Sequence, residues 1–204
     1  NMRLTQEFDL SEVIGSAELR FKTWYDIEED YDYVYISAST DGLNWAILDS
    51  QTCTTANPSG NSYGCGWNGK TQGWIDESVD LSQYVGQKVT VRFDYVTDAA
   101  VNGKGMAIDD LRLDAIGYAT ELESDDGGWQ AEGFVRVQNT LPQSFVVSVV
   151  SAGRNIGVEH YFIDAGERLE LDIEIGAGID EVTLVISGTT PLTREKATYK
   201  IEIR

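Results

Sequence analysis

Apolar and polar positions alternate with a period of two along almost the whole chain, and the three-to-four spacing of an amphipathic helix is nearly absent. In "AELRFKTWYDI", Leu19, Phe21, Tyr25 and Ile27 share one face, with Arg20, Lys22, Trp24 and Asp26 on the other. "KVTVRFDYVTD" sets Val89, Val91, Phe93 and Tyr95 on one side in the same way. From Tyr33 to Ile36 both faces are apolar, the pattern of an inner sandwich strand. Thr40 to Gly42 is a turn signal, and "NWAIL" continues as the next strand. The stretch "WIDESVDLSQYVGQ" reads as an irregular connection with at most one helical turn, and "GMAIDDLRLDAI" closes a first domain near Gly117.

Residues 118–128, "YATELESDDGG", are acidic and end in paired glycines, which marks a linker. Beyond it, "GFVRVQN", "SFVVSVVSAG", "GVEHYFID", "RLELDIEI", "EVTLVISG" and "ATYKIEIR" alternate again, with Gly, Pro or Asp turns between them. The expected fold class is therefore all-β: two β-sandwich domains, residues 1–117 and residues 129–204, the second a smaller immunoglobulin-like sandwich.

Charge narrows the partners. With 15 basic and 34 acidic residues the net charge is −19, which repels phosphate backbones and anionic lipid surfaces and attracts cations. Nucleic acid is excluded as a partner on this ground. No run of 18 apolar residues could cross a bilayer, so membrane insertion is not expected. The chain opens straight into a strand at "NMRLTQEFDL" and reads as an excised piece of a longer protein.

Cys53 and Cys65 flank "CTTANPSGNSYGC", a loop too poor in apolar residues to order itself. A disulfide between them would add about 2–3 kcal/mol by restricting the unfolded chain, and points to an oxidising, extracellular setting. Two cysteines and the lone His160 do not make a zinc set of recognisable spacing.

The densest chemistry lies in "WYDIEEDYDYVYIS", where five carboxylates fall between Asp26 and Asp32. Asp26, Glu28, Asp30 and Asp32 would share one face of a continuous strand. If the chain folds back at Glu29 and Asp30, each arm still carries two of them to the tip. Converging carboxylates repel one another unless a cation neutralises them, and oxygen ligands in numbers suit Ca²⁺. One of Asp109 and Asp110 is expected to point inward, and the loop from Thr97 to Gly105 adds Asp98 beside the same strand end. Two readings stand: one or two structural Ca²⁺ sites drawn from these seven acids, or a solvated acidic tip with the inward Asp satisfied by backbone N–H groups.

Catalytic patterns are missing from the sequence, which has no G-x-S-x-G, no H-E-x-x-H and no phosphate-binding glycine loop. Trp67 and Trp74 fall in loops, where an indole could stack on the apolar face of a sugar, so carbohydrate is a second candidate partner.

The combination W-Y-D-I-E, the aspartate-tyrosine run, S-T-D-G-x-x-W, R-F-D-Y-x-T-D and I-D-D resembles the non-catalytic VEG domain of bacterial immune inhibitor A-like metallopeptidases. "GGWQAEGFVRVQNTLPQSFVVSVV" and "VTLVISGTTPLTREKATYKIEI" are similar to the β domain that ends those proteins. The resemblance implies a jelly-roll-like first sandwich attached to a secreted zinc peptidase. It makes the upstream peptidase domain of the same polypeptide the first partner, outside the bacterial cell or on its surface. The cysteine pair departs from the family pattern. The alternative is a carbohydrate-binding module that holds a secreted enzyme on polysaccharide.

Overall fold

The computed structural model describes residues 1–137, 140–193 and 195–203. The chain forms two compact units, Asn1–Arg136 and Val137–Arg204. Among the described residues no helix is long and apolar enough to cross a membrane.

The first unit is built from β1 (Met2–Asp9), β2 (Glu18–Asp26), β3 (Tyr33–Ser39), β4 (Ala46–Ile47), β5 (Ile75–Asp80), β6 (Lys88–Val96), β7 (Gly105–Leu113), β8 (Tyr118–Thr120) and β9 (Gln130–Glu132). One sheet has the order β4-β3-β6-β1-β9 and the other β5-β2-β7-β8, all pairs antiparallel. Their facing sides carry the alternating apolar residues of the sequence. Leu19, Phe21, Tyr25 and Ile27 from β2 and the turn after it are buried, as are Val89, Val91, Phe93 and Tyr95 of β6. Phe93 sits at the centre, its ring 5.1 Å from Phe21 and 5.6 Å from Trp129.

Three expectations change here. Ile75–Asp80, read as an irregular connection, is the edge strand β5, paired from Glu18↔Asp80 to Thr23↔Ile75. Its alternation is Ile75, Glu77, Val79, and the inward Glu77, 2% exposed, hid the strand by placing a charge on the apolar side. Second, residues 118–128 are not a linker. β8 pairs with β7, and Trp129 packs edge-on against Phe8 at 5.9 Å while its Nε1 donates to Tyr118 Oη at 2.9 Å. Third, the acidic stretch is not a hairpin tip: β2 and β3 belong to different sheets, so residues 27–32 form the corner between them.

The Cys53–Cys65 disulfide is formed, with Cα atoms 5.3 Å apart. It holds a loop across the outer side of β3, where Val34 and Trp67 exchange backbone hydrogen bonds of 2.9 and 2.8 Å and Tyr33 Oη donates to Ala56 O. Gly66 is required by this close approach, because a Cβ there would stand 2.7 Å from the Tyr35 ring.

In the second unit, β10 (Phe145–Gly153) lies between β11 (Gly157–Ile163) and β12 (Ile179–Gly188) in a three-stranded antiparallel sheet. Val147 and Val149 are its buried residues. These three strands match three of the six expected. Residues 168–175 and 197–203 carry the alternation but join no ladder, and "GFVRVQN" runs into Gln138 and Asn139, which lie outside the described residues.

Candidate cation site in an intersheet corner

The corner is closed by a backbone bond from Asp32 N–H to Glu28 O of 3.2 Å, with Asp30 at φ 68° in the left-handed region. One tight turn thus brings residues 28 and 32 to the same side. The loop after β6 reaches them from the other direction. Asp98 N–H donates to Asp32 Oδ1 at 3.0 Å, and Gly103 lies so close to the corner that a Cβ would stand 2.0 Å from Asp26 O. Any side chain at 103 would push Asp98 away from its partners.

Carboxylate oxygens of Glu28, Asp32 and Asp98 all lie within 4.8 Å of one another. Asp32 is fully buried, and its Oδ2 accepts from Tyr95 Oη at 3.4 Å. Glu28 Oε2 is buried without a hydrogen-bond partner. Burial, then the Asp98 and Asp32 charges, push the Glu28 carboxyl above its ordinary value. Burial also raises Asp32, with the Asp98 charge adding to it and the Asp98 N–H and Tyr95 Oη bonds opposing. Tyr95 itself is pushed up to about 12 by burial and by Asp32. Raised folded-state values mean that ionisation opposes folding. The stability these two acids contribute is fully present below the unfolded carboxylate range and is lost as pH rises through their folded values. A divalent cation would offset that penalty, and the three carboxylates with their unpaired buried oxygen could supply part of the six to eight oxygens that Ca²⁺ takes.

The other expected ligands lie elsewhere. Asp26 ends β2, and Asp30 Oδ1 accepts from Asn68 Nδ2 at 3.4 Å. Asp109 and Asp110 sit where the β2–β7 register shifts. Asp109 Oδ1 caps the Asp110 N–H at 2.7 Å, and Asp110, with φ 52°, turns its carboxylate to Lys22 at 2.6 Å and Arg112 at 3.7 Å. The bond from Lys22 holds the Asp110 carboxyl below its ordinary value. An irregularity in the strand thus replaces the expected inward Asp with a surface ion pair.

The tryptophans part company. Trp67 is 1% exposed and packs in the core against Phe21, with ring centres 5.9 Å apart, whereas Trp74 is 53% exposed. They form no sugar platform. His160, the only histidine in the sequence, is exposed on β11 with Nδ1 2.8 Å from Ser148 Oγ.

Residues 1–139 match the family described as Immune inhibitor A-like, MAM domain. The chain belongs to that family. The matched domain is the MAM domain rather than the VEG domain named by the resemblance, and it runs through β8 and β9, in line with their place in the first unit. The chain is 34% identical over 124 residues to the pre-pro-metalloprotease PrtV of Vibrio cholerae, covering 60% of this chain and 13% of PrtV. It is 35% identical over 140 residues to immune inhibitor A of Bacillus thuringiensis subsp. alesti, covering 66% and 19% of the two chains. Bacillopeptidase F of Bacillus subtilis is 35% identical over 100 residues, which are 48% of this chain and 6% of that protein. The chain thus spans less than a fifth of each of these relatives.

Proposed function

We propose that the chain is a non-catalytic accessory region of a secreted bacterial metallopeptidase, working outside the cell to stabilise or orient the catalytic domain that precedes it in the same polypeptide. The match of residues 1–139 to a MAM domain of the immune inhibitor A type carries this reading. In a parent peptidase, deleting residues 1–136 should shorten the lifetime of activity at elevated temperature while leaving the initial rate on a short peptide near normal. An unchanged lifetime counts against a stabilising role, and a collapsed initial rate would make the unit part of the catalytic apparatus.

Within this reading Glu28, Asp32 and Asp98 hold a structural Ca²⁺ that ties the intersheet corner to the loop after β6. The supporting observation is the buried, unpartnered Glu28 Oε2 beside two further carboxylates. When bound, the ion neutralises their mutual repulsion. Thermal unfolding of the chelated chain tests it. Ca²⁺ should raise the midpoint in proportion to the logarithm of its concentration once saturating, with Mg²⁺ weaker because it demands six near-ideal ligands. Asp32→Asn should abolish the rise and Asp110→Asn should keep it. In chelator the midpoint should fall as pH rises above the ordinary carboxylate range, because both acids are held above their usual values, and Asp32→Asn should flatten that fall. No shift at millimolar Ca²⁺ would overturn the calcium reading.

A further inference from the structure

The outer face of the five-stranded sheet carries a hollow of about 210 Å³, on a different surface from the acidic corner. Its floor is Asp94 of β6, 9% exposed. Asp94 Oδ2 accepts from Arg92 Nε at 2.7 Å and Ser37 Oγ at 3.1 Å, while Arg3 Nε lies 3.3 Å from Oδ1. The Arg92 guanidinium lies over the Trp45 ring, 3.7 Å from its centre, a contact that fixes the plane of the fork. One wall comes from the disulfide loop. Tyr63 is 74% exposed, its ring centre 5.9 Å from Tyr35, and its N–H donates to Tyr35 Oη at 2.9 Å.

Two guanidiniums flank one carboxylate, and Arg3 Nε, 3.3 Å from Oδ1, makes no hydrogen bond, so a donor remains unsatisfied beside Asp94. The hollow therefore offers donors and an acceptor side by side, next to an exposed aromatic face. Charge selects among ligands. A polyanion meets the −19 of the chain, and a cation meets both arginines. A neutral ligand whose hydroxyls each donate and accept meets neither penalty. The volume is below the roughly 300–1,000 Å³ of drug-sized pockets, which limits the ligand to one or two sugar rings.

We propose that this hollow binds the neutral end of a saccharide, its ring stacked on Tyr63 and vicinal hydroxyls hydrogen-bonded to Asp94, Arg3 and Arg92. It uses neither Trp67 nor Trp74, and it is independent of the calcium reading.

The test is titration of the full chain, ¹⁵N-labelled and in chelator, with cellobiose, chitobiose, maltose and lactose at millimolar concentrations. Digalacturonate and a glutamate-rich peptide serve as charged comparisons. At least one neutral disaccharide should saturate, with shifts confined to residues around Ser37, Trp45, Tyr63 and Arg92. Tyr63→Ala, at an exposed side chain, should weaken binding about tenfold with the unfolding midpoint unchanged, and Arg3→Gln, at a half-buried one, should weaken binding to a similar degree. If one variant is destabilised, the other decides. Absence of saturable shifts, tighter binding of digalacturonate or of the peptide, or loss of binding in Trp74→Ala but not in Tyr63→Ala overturns the assignment.

Discussion

Replacing Trp67 with alanine should lower the stability of the first unit by about 3–5 kcal/mol in urea unfolding, the range for truncating a large buried aromatic. The indole is 1% exposed, stands edge-on to Phe21 at 5.9 Å and stacks with Phe93 at 6.5 Å. Its removal empties the space between the sheet carrying Phe21 and the sheet carrying Phe93, and the neighbouring strands are tied by ladders that limit collapse into the gap. Trp67→Phe should cost much less than the alanine variant. It keeps most of the ring and removes a buried Nε1 that has no hydrogen-bond partner, a group whose desolvation costs about 1–3 kcal/mol. A Trp67→Ala loss under about 1 kcal/mol would place the indole outside the core's energetics.

Removing the disulfide with Cys53→Ser and Cys65→Ser should cost about 3 kcal/mol, the loop-entropy value for a cross-link closing a sequence separation of 12. The loop is also held by Thr54 and Gly66, which exchange backbone hydrogen bonds of 2.8 and 3.0 Å, and by the Val34–Trp67 pair. Those bonds should keep the native loop in place, so the loss appears as stability rather than as a new fold. Reduction of the unmodified chain should give the same change. A cost near zero would show that these bridges already order the loop in the unfolded ensemble. Trp67 lies just after Cys65, so the two variants share a segment and their costs should not add.

The strands legible in the sequence are those whose alternation is purely apolar on one side, β2 and β6 above all. β5 was hidden because Glu77 occupies an inward position, where Thr52 Oγ1 donates to its carboxylate. Composition made residues 118–128 look like a linker. The better signal was the aromatic at each end, Tyr118 and Trp129, which anchor the segment to β7 and to the core. Of the seven acids proposed as ligands, the three that meet are Glu28, Asp32 and Asp98. The four-residue spacing of the first two was visible, but its meaning depended on a single tight turn at a corner rather than a hairpin. Gly103 and Tyr95, which bring Asp98 in and support Asp32, carry no acidic signal at all. The inward Asp expected at 109 or 110 failed because a register shift between β2 and β7 breaks the strict alternation on which that reading relied.

The sheet order β4-β3-β6-β1-β9 has a consequence for synthesis and for assembly. β1 is the first strand of this unit, yet both of its neighbours come later in the chain, with Leu4 opposite Phe93 on one side and Ala131 on the other. On a ribosome β1 must wait unpaired until β6 has emerged, a long-range closure of the kind that slows folding. The same pairing puts the two ends of the first unit side by side, Arg3 bridging to Gly133. A unit whose first and last strands are neighbours can be inserted into a longer polypeptide without separating the segments it joins.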